Sequence, residues 1–222
     1  MRKLIFPILL GLSGCAVLMS LGFWQVDRLG QKQAYLAEIE ARIIDAPVAL
    51  PDDTDESRDK YLPVTVTGQI TDEHVYMLAP VRGTSPGYRV VSVMLVEGRR
   101  LLVDRGFITA DLRGNLADAG QVTYRGNLHW PQEADKWTPA QDGDLIFARN
   151  VGPLAAALNA ENVMIVVADH GGTDPQLTPM PVGTSGISND HKEYAITWFM
   201  LAAVWALMTG YLIFRTLQAK ES

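Results

Sequence analysis

Two long apolar stretches lie near opposite ends of the chain and frame a polar middle. Leu4–Val26 and Tyr194–Phe214 contain no charged residue over 23 and 21 positions. A bilayer core needs about 20 helical residues at about 1.5 Å each. Both stretches therefore predict transmembrane helices. The alternative is a pair of helices buried in a soluble core, although uncharged runs of this length are rare there.

The first apolar stretch has two further interpretations. Leu12-Ser13-Gly14-Cys15 resembles a bacterial lipoprotein processing box, and a cleaved secretory signal would also begin with an apolar run. However, a secretory signal has an apolar core of about 7–15 residues, and this chain stays apolar after Cys15. An uncleaved anchor is the preferred prediction.

After the first stretch the pattern changes from helical to alternating. Gln31 to Ile44 has apolar positions at helical spacing, which predicts a helix continuing from the membrane. Alternation then predicts that "YLPVTVTGQI" and "HVYMLAPV" are partner strands and that Glu97-Gly98-Arg99 turns a hairpin. Further along, the predicted elements are a strand in "QVTYRGNLHW", a short helix begun by Pro153, a strand at Val163 to Ala168 and a loop from Gly171 to Asn189.

These patterns divide the chain into four parts. They are an N-terminal transmembrane anchor (1–27), a periplasmic β-rich domain (28–190), a C-terminal transmembrane helix (191–215) and a cytoplasmic tail (216–222). The predicted fold class is a membrane protein in which two transmembrane α-helices flank a β-rich α+β extracytoplasmic domain.

Flanking charges predict the orientation in the membrane. Basic residues precede the first stretch and follow the second, at Arg2, Lys3, Arg215 and Lys220. Others lie at the opposite ends, at Arg28, Lys32 and Lys192. Because long domains cross largely regardless of charge, the termini decide, and both are predicted to be cytoplasmic. No Arg- and Ser-rich leader precedes the first stretch, which favours a bacterial inner membrane.

Charge and cysteine content exclude several classes of partner and site. Asp27 to His191 carries 14 basic and 23 acidic residues, a net charge of −9. An acidic domain argues against nucleic acid or anionic lipid as its main partner. Cys15 is the only cysteine, so an internal disulfide or a Cys-x-x-Cys pair is impossible.

Hydrolase chemistry finds little support. The chain has no Gly-x-Ser-x-Gly elbow and no His-Glu-x-x-His motif. Asp169 and His170, followed by Asp174, are either metal ligands or part of a solvated loop. Asp104-Arg105 is either functional or, preferably, a structural ion pair or turn.

His191 stands at the outer mouth of the second apolar stretch. On a helix that includes it, Ala195, Trp198, Ala202 and Ala206 fall near its face. Ala202, Ala206 and Gly210 also form a row of small residues that would admit a helix or a flat ligand. The imidazole could bind a haem iron, or it could simply cap the helix or bind lipid headgroups.

A group of polar and aromatic residues at the end of the first stretch lies at the same interface. This collar consists of Trp24, Gln25, Arg28 and Lys32. Trp24 and Arg28 share a helix face, and Gln25 could bond across to the second helix. The collar either receives the acidic groups of a membrane-borne ligand or forms an aromatic belt with cations.

Four segments, in this order between two apolar stretches, resemble the surfeit locus protein 1 family, whose members assist cytochrome c oxidase assembly. They are "LGFWQVDRLGQK", "YLPVTVTGQI", "PGYRVVSVMLVEGRRLLVDRGFI" and "NDHKEYAITWFMLA". The resemblance is to the bacterial type. Two positions differ from the family pattern: Asp104 and Phe107 stand in a motif that usually reads Asn-Arg-Gly-Trp, and Lys192 replaces a common Leu.

The resemblance implies a non-enzymatic assembly factor that binds haem a and assists its insertion into the oxidase. His191 would be the iron ligand, with Arg28, Trp24, Gln25 and Trp198 completing the cofactor site. The implied partners are the catalytic subunit of cytochrome c oxidase, haem a synthase and membrane lipid. The alternatives are a membrane-tethered scaffold that stabilises an oxidase intermediate without haem and, more distantly, a membrane-anchored periplasmic hydrolase.

Overall fold

The computed structural model describes residues 2–79, 86–116 and 120–218, and these residues belong to two units. One unit contains Met1–Glu38 and Thr184–Ser222, and the other contains Ile39–Gly183. We call the first the helix pair and the second the barrel. Lys220 and the end of a predicted strand, at Pro80 and Val81, lie outside the described residues.

The predicted fold class is confirmed, since two long apolar helices flank a β-rich domain. In chain order the elements are α1 (Arg2–Ile43), β1 (Val48–Ala49), α2 (Glu56–Asp59), β2 (Pro63–Leu78), β3 (Gly87–Val96), β4 (Arg99–Thr109), a 3-10 helix (Ala110–Leu112), β5 (Gln121–His129), β6 (Leu145–Ile146), α3 (Val151–Ala157), β7 (Met164–Asp169) and α4 (His191–Gln218).

α1 and α4 are both long and apolar enough to cross a membrane. Their most apolar windows have mean hydropathies of 2.3 and 1.8, and only 6% of each window is buried. A core helix of a soluble protein would be mostly buried, so that alternative is wrong. α1 runs through Leu29 and Gly30 without a break, as predicted, and ends at Ile43 shortly before Pro47.

The strands of the barrel close into a ring. β2 pairs antiparallel with β5 through its first half and with β3 through its second half. β3 pairs with β4, β4 with β7, and β7 with β5, so the path returns to β2. Closure satisfies the backbone groups along most strand edges and encloses one apolar core. The short strands β1 and β6 extend the two sides of β2.

The prediction of two partner strands in residues 61–81 was wrong. Both segments belong to the single 16-residue strand β2, and neither pairs with the other. The three residues between them, 71–73, contain no Gly or Pro that would reverse the chain. Instead, the register against β3 shifts between Ile70 and His74, and Thr71 donates its hydroxyl proton to the Val93 carbonyl at 3.1 Å.

The remaining predicted elements are present, with small differences at their ends. Glu97 and Gly98 turn the β3–β4 hairpin with φ of 51° and 84°, as a two-residue turn with two left-handed positions requires. α3 begins at Val151, two residues before the predicted start, and Pro153 lies in its first turn. The core contains the fully buried Tyr124, Leu102 and Ile165 from three neighbouring strands.

Candidate functional site

Small residues allow α1 and α4 to approach closely. Gly11 and Gly22 are buried on α1. A Cβ atom on Gly22 would lie 2.5 Å from Cε1 of Phe199, and one on Gly11 would overlap the side chain of Thr209. On α4 the matching buried positions are Ala195 and Ala202. The helices therefore meet through glycines on one side and alanines on the other.

The predicted row of small residues on α4 is only partly in this contact. Ala202 is buried, and the Cys15 thiol lies 3.8 Å from its carbonyl oxygen. Ala206 and Gly210 are exposed and lie outside the contact with α1, so whether they admit another helix or a flat ligand stays a prediction. Residues spaced by four rotate about 40° around a helix at each step, and the row therefore leaves the contact. A spacing of seven, from Ala195 to Ala202, stays within it.

His191 and Gln25 meet where the helix pair reaches the predicted outer interface. His191 is the first residue of α4, and its Nδ1 lies 2.7 Å from Oε1 of Gln25. Gln25 is only 8% exposed, whereas His191 is partly exposed. The expected bond from Gln25 to the second helix is thus present. The imidazole does not cap its own helix, since the Asp190 carbonyl accepts the Tyr194 amide at 3.2 Å.

The chemistry of this bond assigns the imidazole proton. An amide oxygen only accepts hydrogen bonds, so Nδ1 of His191 donates while the Gln25 amide presents Oε1 to it. In the neutral ring the other nitrogen, Nε2, then keeps its lone pair and can bind a metal. Close to this pair, the buried Oδ1 of Asn189 has no hydrogen-bond partner among the described residues.

Trp24 and Arg28 lie together on an adjacent face of α1. The Arg28 guanidinium carbon is 5.8 Å from the centre of the Trp24 ring, which is 51% exposed. Nη1 of Arg28 donates to Oε1 of Gln31 at 2.9 Å, and Gln31 donates to Asp27 at 2.7 Å. Their shared face agrees with the prediction. Among the described residues, no contact joins Trp24 or Arg28 to His191.

The other predicted site residues are more dispersed. Trp198 is partly exposed, two turns along α4 from His191. The Lys32 amine is 5.7 Å from the Tyr35 ring centre, so the cation–π contact of Lys32 is with Tyr35 and not with His191. Lys192 is exposed. The structure thus brings two of the five predicted site residues, Gln25 and His191, into direct contact.

Asp104 is structural, as preferred from the sequence, but its partner is not Arg105. The fully buried carboxylate is paired with Arg89 and, at 2.8 Å, with Arg149. Arg149 also pairs with Glu133. Burial would raise the pKa of Glu133, but the hydrogen bonds and charge of Arg149 lower it. These ion pairs hold the loop before α3 against the barrel.

The solvated-loop interpretation holds only in part, since Asp169 and residues 171–173 are exposed whereas His170 and Asp174 are buried. His170 is 6% exposed, and its Nε2 lies 2.7 Å from the Arg105 carbonyl oxygen. Asp174 accepts from Nε of Arg105 at 2.8 Å and from the Tyr124 hydroxyl at 2.7 Å. Burial, followed by the bond to Asp174, raises the pKa of Tyr124. In the described residues, no group of three His, Cys, Asp or Glu side chains could hold a metal.

Residues 12–203 match the sequence model of the SURF1 family. The chain belongs to the SURF1 family. This match covers the whole barrel, most of α1 and the first part of α4, and it confirms the resemblance drawn from the four sequence segments.

Named relatives of this SURF1 family chain occur in bacteria and animals. A SURF1-like protein of Rickettsia conorii is 28% identical over 213 residues, covering 90% of this chain and 87% of that protein. A SURF1-like protein of Rickettsia prowazekii is 30% identical over 212 residues, covering 90% and 85%. Surfeit locus protein 1 of Rattus norvegicus is 28% identical over 228 residues, covering 90% and 72%.

The glycine contacts of this SURF1 family chain were missed from the sequence. Gly11 and Gly22 are separated by eleven residues, which is close to three helical turns, and Cys15 lies between them on the same face. That periodicity on α1 was a usable signal for the helix contact. The contact was instead predicted from the row of small residues on α4, because a four-residue spacing is a common pattern in packed membrane helices.

Proposed function

We propose that this protein is a membrane-bound assembly factor for haem–copper oxidase that binds haem a through His191 and assists its insertion into the catalytic subunit. The observation that carries the proposal is the bond from Nδ1 of His191 to Gln25, which leaves Nε2 as a free donor atom. Membership of the SURF1 family supports the assembly role.

The residues around His191 fit the chemistry of a haem. Imidazole is the commonest axial ligand of haem iron in proteins, and a ligating histidine normally donates its other N–H to an acceptor. Gln25 is such an acceptor. The bound haem would supply the iron and the macrocycle that the oxidase needs. The part played by this chain would be to supply the imidazole of His191 as an iron ligand and to present it at a partly exposed site.

Arg28 is the candidate partner of a haem propionate. Its guanidinium is exposed and bonded to the neutral Gln31, so no buried ion pair has to be broken to free it. Trp24 and Trp198 would offer flat apolar surfaces to the macrocycle, since both are at least partly exposed. The role proposed for Gln25 changes from contacting the haem to holding its ligand.

The proposed setting is a bacterial inner membrane, with both termini in the cytoplasm and the barrel in the periplasm. The proposed partners are the catalytic subunit of cytochrome c oxidase, haem a synthase and membrane lipid. The proposed role is non-enzymatic. In support of this, the carboxylates of Asp104 and Asp174 are each already bonded to arginine.

A reporter protein tests the proposed orientation in the membrane. A reporter active only outside the cytoplasm should work when inserted at Asp53 and fail when fused after Ser222; the reverse would contradict the proposed orientation.

The visible spectrum of protein purified from cells that make haem a tests the proposal. The wild type should carry haem, and His191→Ala should lose most of it while the barrel stays folded. A wild type that purifies without haem, yet still supports oxidase assembly, would favour the scaffold function instead.

Arg28→Ala should lower haem affinity without changing the iron ligand. Loss of a charge-assisted bond costs on the order of 1.5–3 kcal/mol, or about tenfold to a hundredfold in affinity. The bands should therefore keep the wild-type positions at lower occupancy. Lys32→Ala is the matched control, because its amine lies over Tyr35, and it should have a smaller effect. If Arg28→Ala binds haem normally, Arg28 does not contact a propionate, and the collar is only an aromatic and cationic belt.

A further inference from the structure

Gln25 makes the only side-chain to side-chain hydrogen bond between α1 and α4 among the described residues. Two other polar contacts cross between the helices, from Cys15 to Ala202 and from Trp205 to Gly11, and each ends on a backbone carbonyl. The Gln25 bond therefore lets a side chain of α1 orient a titratable side chain of α4.

We propose that Gln25 is a positioning residue that fixes His191 in the tautomer with its proton on Nδ1, so that Nε2 is the coordinating atom. This rests on the proposed function only in taking haem iron as the metal. Free neutral histidine prefers to carry its proton on Nε2, which would leave the wrong nitrogen for the metal. The Gln25 oxygen reverses that preference because it can only accept.

The packing of the helix pair keeps this bond in place. Gln25 lies one turn from Gly22 and His191 one turn from Ala195, so small residues bring the two backbones together beside the bond. Because Gln25 is 8% exposed, little water can replace His191 as its partner. With the Gln25 oxygen facing His191, a proton on Nε2 would place two acceptors against each other, which is unfavourable.

A neutral acceptor also sets how strongly His191 binds iron. A carboxylate in this place would draw the Nδ1 proton towards itself and make Nε2 more basic, whereas an amide does so only weakly. Gln25 therefore holds His191 ready to ligate while keeping it a moderate ligand. Moderate ligation suits a protein that receives a haem and then gives it up.

The first test needs no haem. The full chain in detergent, with ¹⁵N-labelled histidine, is compared by NMR at alkaline pH as wild type, Gln25→Leu and Gln25→Glu. His191 should carry its proton on Nδ1 in the wild type and in Gln25→Glu, and on Nε2 in Gln25→Leu. Gln33→Leu is the matched control, because Gln33 is exposed on the same helix, and it should resemble the wild type.

The second test titrates the same proteins with haemin, a ferric haem b. Loss of a residue that orients a metal ligand typically lowers affinity by about 10–100-fold, and this is expected for Gln25→Leu. Gln25→Glu should bind haemin at least as tightly as the wild type, with a lower reduction potential and slower release of haem to apomyoglobin. Gln33→Leu should bind within about twofold of the wild type.

The two tests separate the inference from the proposed function. If the wild type does not bind haemin but Gln25→Leu moves the proton to Nε2, haem binding fails and the positioning role of Gln25 stands. If His191 keeps its proton on Nδ1 in Gln25→Leu, the inference is wrong, even where haem binds normally. Should Gln25→Leu fail to fold, a proton on Nε2 in the folded Gln25→Glu protein would also overturn it.

Discussion

The barrel and the helix pair treat buried polar groups in opposite ways. In the barrel, Asp104 accepts from Arg89, from Arg149 and from the Gly106 amide, and its hydrogen-bonding capacity is largely used. In the helix pair, His191 has one nitrogen bonded to Gln25, and the geometry leaves the other free to bind. Saturated groups hold a structure together, whereas a group with a free donor or acceptor atom can still bind something.

The difference follows from what each unit must achieve. The barrel brings Arg89 and Asp104 out of water, and burying such charges is tolerable only when they are paired. The helix pair buries one neutral amide and leaves its imidazole at the edge, which costs far less. The helix pair can therefore keep an imidazole nitrogen with an unused lone pair, whereas an unpaired polar group inside the barrel would be costly.

Breaking the Asp104 network should have the largest effect. Asp104→Leu leaves two buried guanidinium groups without their shared carboxylate, so the barrel should lose about 3–5 kcal/mol of unfolding free energy. Denaturant unfolding followed by far-UV circular dichroism measures this. The control is Asp144→Asn, at the exposed pair with Arg113, which should cost about 0–1 kcal/mol. Equal losses in the two variants would contradict a structural role for Asp104.

His129 is an exception in the barrel, because its buried Nδ1 has no hydrogen-bond partner among the described residues. Burial, followed by the charges of Arg149 and Lys60, lowers the pKa of His129 to about 4 from 6.5. Between these values the unfolded chain binds the proton and the barrel does not. Stability should therefore fall as the pH is lowered from 6.5 to 4.

This loss of unfolding free energy should amount to about 2 kcal/mol, a figure that is reduced to allow for the partial exposure of His129. His129→Gln should remove it, so the unfolding midpoint of the variant should depend less steeply on pH in this range. Identical slopes for wild type and variant would show that other groups cause the acid sensitivity of the barrel.

Adding a methyl group at Gly22 should loosen the helix pair and leave the barrel unchanged. A Cβ atom there meets the Phe199 ring, so Gly22→Ala should cost about 1–2 kcal/mol. Hydrogen exchange by mass spectrometry should show faster exchange near Gln25 and Ala195 only. Gly30→Ala is the control, because nothing lies within 4 Å of the added atom, and helix propensity should stabilise that variant by about 0.5–1 kcal/mol.

Cys15→Ser should have the smallest effect, within about 0.5 kcal/mol. A serine hydroxyl can replace the thiol as donor to the Ala202 carbonyl in the helix pair. Mass, membrane location and oxidase activity should stay the same. Loss of a lipid label together with accumulation of a precursor would instead support the lipoprotein interpretation of Leu12–Cys15.

Features set by local chain geometry could be predicted from the sequence. The β3–β4 turn follows from Glu97-Gly98, and the shared face of Trp24 and Arg28 follows from their spacing. The bond from Gln25 to α4 was also within reach, because both residues sit at matching ends of apolar stretches. The turn and the shared face each depend on a few neighbouring residues, and the bond depends on two ends of apolar stretches that the sequence already places at one interface.

Features set by contacts between residues far apart in the chain could not be predicted from the sequence. Alternation looks the same whether two segments pair or form one long strand, and the double pairing of β2 depends on β5, more than forty residues after it. The rotation of α4 about its axis depends on Gly11 and Gly22 of α1, which a pattern within α4 alone does not contain. The partners of Asp104 and Asp174 likewise come from other parts of the chain, since Arg149 lies in the loop before α3 and Arg105 lies in β4.

The closed ring of strands also has a consequence for the order in which the chain is made. β7 is the last strand, yet it fills the gap between β4 and β5. From the end of β4 to the end of β7, ribosomes need about 3–12 s at about 5–20 residues per second. During that time a nascent chain carries strand edges without their final partners, and such edges are prone to aggregate. During those seconds, the rate at which the remaining strands are made, and not the stability of the finished barrel, decides whether a new chain folds or aggregates.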